Sequence, residues 1–176
     1  CMKAVRGHHN YTFRHSMFVS GYLVSFGYAA GIRGDDLKKL ALGGMLHDIG
    51  KSHVPLAVLD SPNRLDDEEW VVMRRHPEFS ETILEHMKRH LDQDIVEMAV
   101  RHHEKLDGTG YPYGIAATEL SDLVRMTSIV DVYSGLIDKR SYKTAMTTEK
   151  AFDILNSMDG HLDLELVRGF QRLMLD

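Results

Sequence analysis

The chain has 176 residues, 43% of them hydrophobic and 27% charged, with a formal net charge of −5, 11 histidines and a single cysteine. Its basic residues are scattered among acidic ones, which argues against binding a DNA or RNA duplex, where many phosphates must be neutralised together. No apolar run approaches the roughly 18 to 20 residues of a membrane span, and a lone Cys1 excludes an internal disulfide or a thiolate zinc cluster.

The length suits one domain with a real core. Cys1 precedes Met2, so residues 1–10 are expected to be an N-terminal fragment or linker and residues 11–176 the domain. No charged segment leads into an apolar core and a cleavage site, so a cytoplasmic setting is the default expectation.

From Tyr11 to about Ala30 apolar side chains recur at helical spacing, with Phe18, Tyr22, Phe26 and Ala29 on one face together with His15. Asp35 or Asp36 is expected to cap a helix from Leu37 to about Asp48 that turns Leu40, Ala41 and Gly44 inward. Gly43 and Gly44 each cost a helix about 1 kcal/mol against alanine, so another helix is expected to come close there, and Gly50 is expected to end the element. Asp66 and Glu69 form an Asp-x-x-Glu capping box that opens a helix to about Arg75, broken by His76-Pro77. Helices are then predicted to about Arg89, from Asp94 to about His102, and, after the glycine-rich loop Lys105 to Gly114, over Leu123–Asp138, Thr147–Met158 and Leu162–Leu173. No alternating strand pattern occurs, so the fold class is all-α.

The chemistry gathers around Leu46-His47-Asp48-Ile49-Gly50-Lys51. A His-Asp pair is expected about once by chance at this composition, and a histidine on an apolar face is more often a core residue than a ligand. The weight lies in the set: five imidazoles, His15, His47, His76, His102 and His103, with two carboxylates, Asp48 and Asp131. One ion rarely takes seven such ligands, whereas two ions sharing a carboxylate do. The expected arrangement is dinuclear, with Asp48 as the bridge, His15, His47 and Asp131 on one metal, and His76, His102 and His103 on the other. Nitrogen and oxygen donors without thiolate suit iron, manganese, zinc, nickel or cobalt. Two divalent transition-metal ions about 3.5–4 Å apart hold a bridging hydroxide and clamp a phosphate, which favours phosphoester hydrolysis. Lys51 would face the same pocket and stabilise phosphate charge or protonate the leaving oxygen.

The run of His15, Leu46 to Lys51, His76-Pro77-Glu78, His102-His103-Glu104, Asp107-Gly108-Thr109-Gly110-Tyr111-Pro112 and Asp131 resembles the HD-GYP family of cyclic-dinucleotide phosphodiesterases, from about His15 to Phe170. The resemblance implies an HD-domain helical bundle of about seven helices, a metal centre, and hydrolysis of cyclic di-GMP to pGpG or GMP. It assigns metal ligation to His15, His47, Asp48, His76, His102, His103 and Asp131, and catalytic roles to Asp48 and Lys51. It also assigns substrate binding to Lys51, Arg140, Lys143 and Tyr111, and pocket shaping and protein contacts to the Gly110-Tyr111-Pro112 loop. Tyr11 stands where members with a third metal carry glutamate, which favours two metal ions over three, with iron or manganese the first expectation for the pair. Ser134 and Ser141 depart from the family's aspartate and proline. Cyclic GMP-AMP is the nearest alternative substrate. Another nucleotide phosphohydrolase of the HD superfamily and a non-catalytic binding module are the rival readings. An upstream regulatory domain and a homodimer are further expectations.

Elsewhere, His86 and His90 sit four apart on an outward helix face with no third ligand, and His8, His9, His53 and His161 read as surface or loop residues. Glu104 and Asp107 read either as groups orienting the imidazoles or as solvated loop carboxylates.

Overall fold

The computed structural model describes residues 10–61, 63–87, 90–138 and 146–175. In chain order the elements are α1 (Asn10–Ala29), α2 (Gly34–Leu46), a 3-10 turn Ile49–His53, α3 (Leu56–Leu59), α4 (Asp67–Met73), α5 (His76–Glu85), α6 (Gln93–Arg101), a second 3-10 turn Ala117–Glu119, α7 (Asp122–Ile137), α8 (Thr148–Asn156) and α9 (Leu164–Leu175). No strand occurs among the described residues, and none of their helices is long and apolar enough to cross a membrane. The all-α expectation holds.

The sequence of α7 explains its central place. Val124, Met126, Thr127, Ser128, Ile129, Val130, Tyr133 and Ser134 are all buried, and a helix apolar on most sides must be surrounded by others. It packs against α1, α2, α6, α8 and α9. At its far end an aromatic cluster closes the core: Phe170 of α9 lies 5.0 Å from Phe26 of α1, 5.1 Å from Tyr133 of α7 and 5.7 Å from Phe152 of α8, ring centre to ring centre. A smaller cluster, Leu84, Val96, Ala99 and Val100, ties α5 to α6.

Two glycines of the central motif are there for approach. A methyl group on Gly44 would sit 2.7 Å from Ser20 Cα, so α1 and α2 meet backbone to backbone. One on Gly43 would strike the Met98 side chain of α6. Gly50 differs from its expected role, because α2 stops at Leu46 and Gly50 lies inside the 3-10 turn. There its N–H donates to Ser80 Oγ at 2.9 Å, and a side chain would collide with the His76 carbonyl. The residue therefore seats the His47-Asp48 segment against the start of α5.

Other expectations shift by part of a turn. The Asp66–Glu69 capping box forms in both directions. Asp35 and Asp36 do not cap α2. Arg33 holds that position without a side-chain bond, and the two carboxylates lie in the first turn, where they complement the helix dipole. On α1 the buried stripe is His15, Ser16, Val19, Leu23 and Phe26, while Phe18 and Ala29 are exposed. His86 caps α5 beyond its last residue, so His86 and His90 do not share a helix face.

Candidate metal centre

Three histidines stand at or just beyond helix C-termini and behave alike. His47 caps α2, His76 follows Met73, the last residue of α4, by three positions, and His102 caps α6. The final carbonyls of a helix lack intrahelical partners. Each ring takes one of them: His47 Nδ1 lies 2.8 Å from the Gly44 carbonyl, His76 Nδ1 2.9 Å from that of Met73, and His102 Nδ1 3.1 Å from that of Ala99. A carbonyl only accepts, so Nδ1–H donates in all three, and in the neutral ring Nε2 is left with its lone pair facing inward.

The fourth ring comes from α1. His15 is buried, with Nδ1 3.2 Å from Ser134 Oγ and Nε2 2.8 Å from Asp131 Oδ1. Ser128, Asp131 and Ser134 lie three apart on one face of α7. Ser128 Oγ donates to the His102 carbonyl at 2.7 Å, which joins that face to the end of α6.

All seven candidate residues converge. His15, His47 and Asp48 form one group, and His76, His102 and His103 a second, each with ligand atoms within 4.8 Å of one another. Asp48 lies between the groups. Its Oδ2 is 3.4 Å from His47 Nε2, while its Oδ1 is 3.4 Å from His76 Nε2 and 3.8 Å from His102 Nε2. Asp131 Oδ1 is also 3.6 Å from His47 Nε2, on the side of the first group. At Asp48 the backbone, with φ −103° and ψ 12°, has left the α2 helix and leads into the 3-10 turn.

Two atoms in this cluster, His47 Nε2 and Asp48 Oδ1, are buried without a hydrogen-bond partner. Such atoms are costly unless an ion or another group satisfies them. Charge points the same way. Burial raises the Asp48 carboxyl, but Lys51 and His47 outweigh it and hold the group well below the usual carboxylate range. Asp131 is likewise held low, against burial, by His15 and His47. Burial keeps His76 neutral to about 4 and His103 to about 3, and drives His102 well down. His47 alone goes the other way, to about 10, because Asp48 and Asp131 overcome its burial. Two ionised carboxylates beside a row of neutral imidazoles form a donor set suited to divalent cations.

Residues 2–166 match the model of the HD domain family. The chain belongs to the HD domain family. It is 34% identical over 160 residues to a protein of Pseudomonas aeruginosa named cyclic di-GMP phosphodiesterase PA4108, covering 91% of this chain and 38% of that one. It is also 34% identical over 165 residues to the 3'3'-cGAMP-specific phosphodiesterase 2 of Vibrio cholerae, covering 93% and 32%. The chain thus spans about a third of the length of these relatives. Among solved structures, Bd1817, an HDG"Y"P protein from Bdellovibrio bacteriovorus, superposes with a TM-score of 0.75 at 24% identity over 94% of this chain and 53% of that one. That likeness shows the shared HD fold.

In this HD domain Lys51 Nζ donates to Asp48 Oδ2 at 2.6 Å, so the lysine does face the cluster. Tyr111 stacks on His103, 4.7 Å between ring centres and 23° between planes, beside the second group of imidazoles. Arg140, Ser141 and Lys143 lie outside the described residues, as do His8 and His9. Glu104 does not orient the imidazoles. Its buried carboxylate accepts from the backbone N–H groups of Tyr113 at 2.7 Å, Gly114 at 3.2 Å and Ile115 at 3.2 Å, and so clamps the loop that carries Tyr111. Asp107 binds the N–H and hydroxyl of Thr109 within the same loop. Sequence reasoning missed Ser128. A serine on a buried helix face carries no signal until its neighbours are known.

Proposed function

We propose that this HD domain, residues 11–176, is a metal-dependent phosphodiesterase that hydrolyses cyclic di-GMP to pGpG or on to GMP. The observation that carries the reading is the place of Asp48, with one carboxylate oxygen toward His47 and the other toward His76 and His102. A carboxylate set between two groups of imidazoles suits a pair of divalent cations, with His15, His47 and Asp131 on one and His76, His102 and His103 on the other. Iron and manganese fit this donor set, and zinc, nickel or cobalt are the other candidates. Tyr11 in place of a glutamate favours two ions over three.

Cations at these positions supply charge neutralisation for a phosphodiester and a lowered pKa for water. The chain's own residues do the rest. The three helix-end imidazoles are already fixed in tautomer and orientation by their carbonyl partners, so little reorganisation accompanies binding. Asp48 keeps the centre anionic. Lys51 Nζ, one hydrogen bond from Asp48, is placed to donate to a phosphate oxygen and to hand a proton to the leaving oxygen.

Cyclic GMP-AMP is a second substrate to be tested, because three relatives of similar identity are named for it. The deciding experiment mixes reduced protein loaded with iron or manganese with each dinucleotide and resolves the products by chromatography. Linear dinucleotide or mononucleotide supports the phosphodiesterase. Tight binding of either substrate without turnover would make the domain a binding module instead.

A further inference from the structure

Arg74 caps α4, two residues before His76, and its guanidinium carbon lies 4.5 Å from the centre of the Tyr111 ring. That ring is the one stacked on His103. The guanidinium thus stands one aromatic ring away from the His76, His102 and His103 group. A cation–π contact holds it there.

Its charge is otherwise uncommitted. The next residue, Arg75, pairs with Glu78, and Arg14, Arg101 and Arg125 pair with Asp138, Glu97 and Asp163. Arg74 has no carboxylate partner among the described residues, and its side chain is exposed. Lys51, the other cation at the cluster, is bonded to Asp48. An arginine fixed by an aromatic face, with its planar fork of donors free, is well suited to bind a phosphate by two parallel hydrogen bonds.

A cyclic dinucleotide carries two phosphodiesters on opposite sides of a closed ring, so only one can occupy the seven-residue cluster. The other needs a cationic partner at the pocket wall. We propose that Arg74 binds the non-reacting phosphodiester of the cyclic dinucleotide. This rests on the phosphodiesterase reading above. Tyr111 then serves as the plate against which Arg74 is held.

The test compares wild type with Arg74→Ala and Arg74→Lys, each loaded with manganese, on cyclic di-GMP and on bis(p-nitrophenyl) phosphate, which has a single phosphodiester. Arg74→Ala should raise KM for cyclic di-GMP about 10- to 100-fold, the range for a lost charge-assisted contact, and leave kcat little changed. Arg74→Lys, which keeps the charge without the planar fork, should fall between. Turnover of bis(p-nitrophenyl) phosphate should match wild type in both variants. An equal loss on both substrates would make Arg74 a support of the metal centre and overturn the proposal, as would no loss on either. Should wild type cleave bis(p-nitrophenyl) phosphate but no cyclic dinucleotide, the phosphodiesterase reading fails by itself. Arg74 is then judged by equilibrium binding of pGpG, where weaker binding by Arg74→Ala supports its role. An affinity equal in wild type and variant, including none in either, overturns it.

Discussion

His76 Nε2 and His102 Nε2 face each other at 3.5 Å, while the Nδ1 of each ring is committed to a helix carbonyl. Two lone pairs at that distance repel unless a cation or a proton lies between them. Replacing His102 with alanine should therefore remove one metal per chain while leaving the fold intact. Elemental analysis should show a stoichiometry falling from near two to near one, and cyclic di-GMP hydrolysis should fall by about 100-fold or more. Unchanged metal content and rate in His102→Ala would refute the assignment of the second group.

Lys51 tests the chemistry apart from the metals. It touches Asp48 through one hydrogen bond and is not among the seven residues of the cluster. Lys51→Met should keep both ions and lower kcat by about 100- to 1,000-fold, the usual cost of removing a group that stabilises transition-state charge. If kcat stays and only KM rises, the lysine binds substrate without taking part in bond cleavage.

Gly44 and Gly21 make opposite predictions on neighbouring helices. Gly44→Ala forces a methyl group against the Ser20 backbone, so α1 must move from α2 and His15 from His47. We expect a loss of about 1–3 kcal/mol in urea unfolding, typical of overpacking, together with weaker metal binding. Gly21 is exposed within α1 and has nothing within 4 Å of an added methyl. Gly21→Ala should stabilise by about 0.5–1 kcal/mol through helix propensity alone. A stable Gly44→Ala protein with full metal content would contradict the close approach.

Glu104 should behave as a structural clamp. Its carboxylate satisfies three loop N–H groups in a buried position, so Glu104→Ala leaves them without partners and should cost about 3 kcal/mol or more. Glutamine should rescue only in part, since it keeps one acceptor oxygen and brings an NH2 against donors. Thermal melts of the metal-free variants measure this. Full rescue by glutamine would show that one acceptor suffices.

The pH profile of the metal-free protein should be a dome. His76, His102 and His103 are held neutral on folding, so their contribution is complete above the ordinary histidine value of 6.5 and is lost as pH falls below it, through about 4 for His76 and about 3 for His103. His47 is raised to about 10, so its contribution is complete below 6.5 and is lost as pH rises through about 10. The low-lying carboxylates contribute fully above 3.8 and do not alter this window. Tm in the presence of a chelator should peak near pH 6.5 and decline on both sides. Loading with metal should remove the alkaline decline, because the cations take the place of the His47 proton. A metal-free Tm still climbing at pH 9 would show that His47 carries no such proton.

The helices and the seven polar residues were legible in the sequence for different reasons. Apolar periodicity located the helices, and α1, α7 and α8 begin and end within a few residues of expectation. The seven residues stood out because histidines and aspartates at those positions had no other shared use. Phase was harder to read. Phe18 and Ala29 fit the helical period as well as Val19 and Leu23 do, and only the packing of α2, α7 and α9 decides which stripe is covered. Gly50 has the composition of a helix stop, yet it answers to the His76 backbone, a contact between segments that local sequence does not encode. The Glu104 clamp and the carbonyl partners of the three imidazoles also depend on three-dimensional neighbours, so no spacing rule could have supplied them.

His47, His76 and His102 each hang from a carbonyl at the end of a helix, so the direction of every ring is set by where its helix stops. Deleting one residue from α2 or α6 would swing the corresponding imidazole by roughly 100° about the axis and away from the shared cavity. Loops of this domain have room to grow or shrink over generations, whereas the residue count of those helices is locked, and a change there has to come in whole turns.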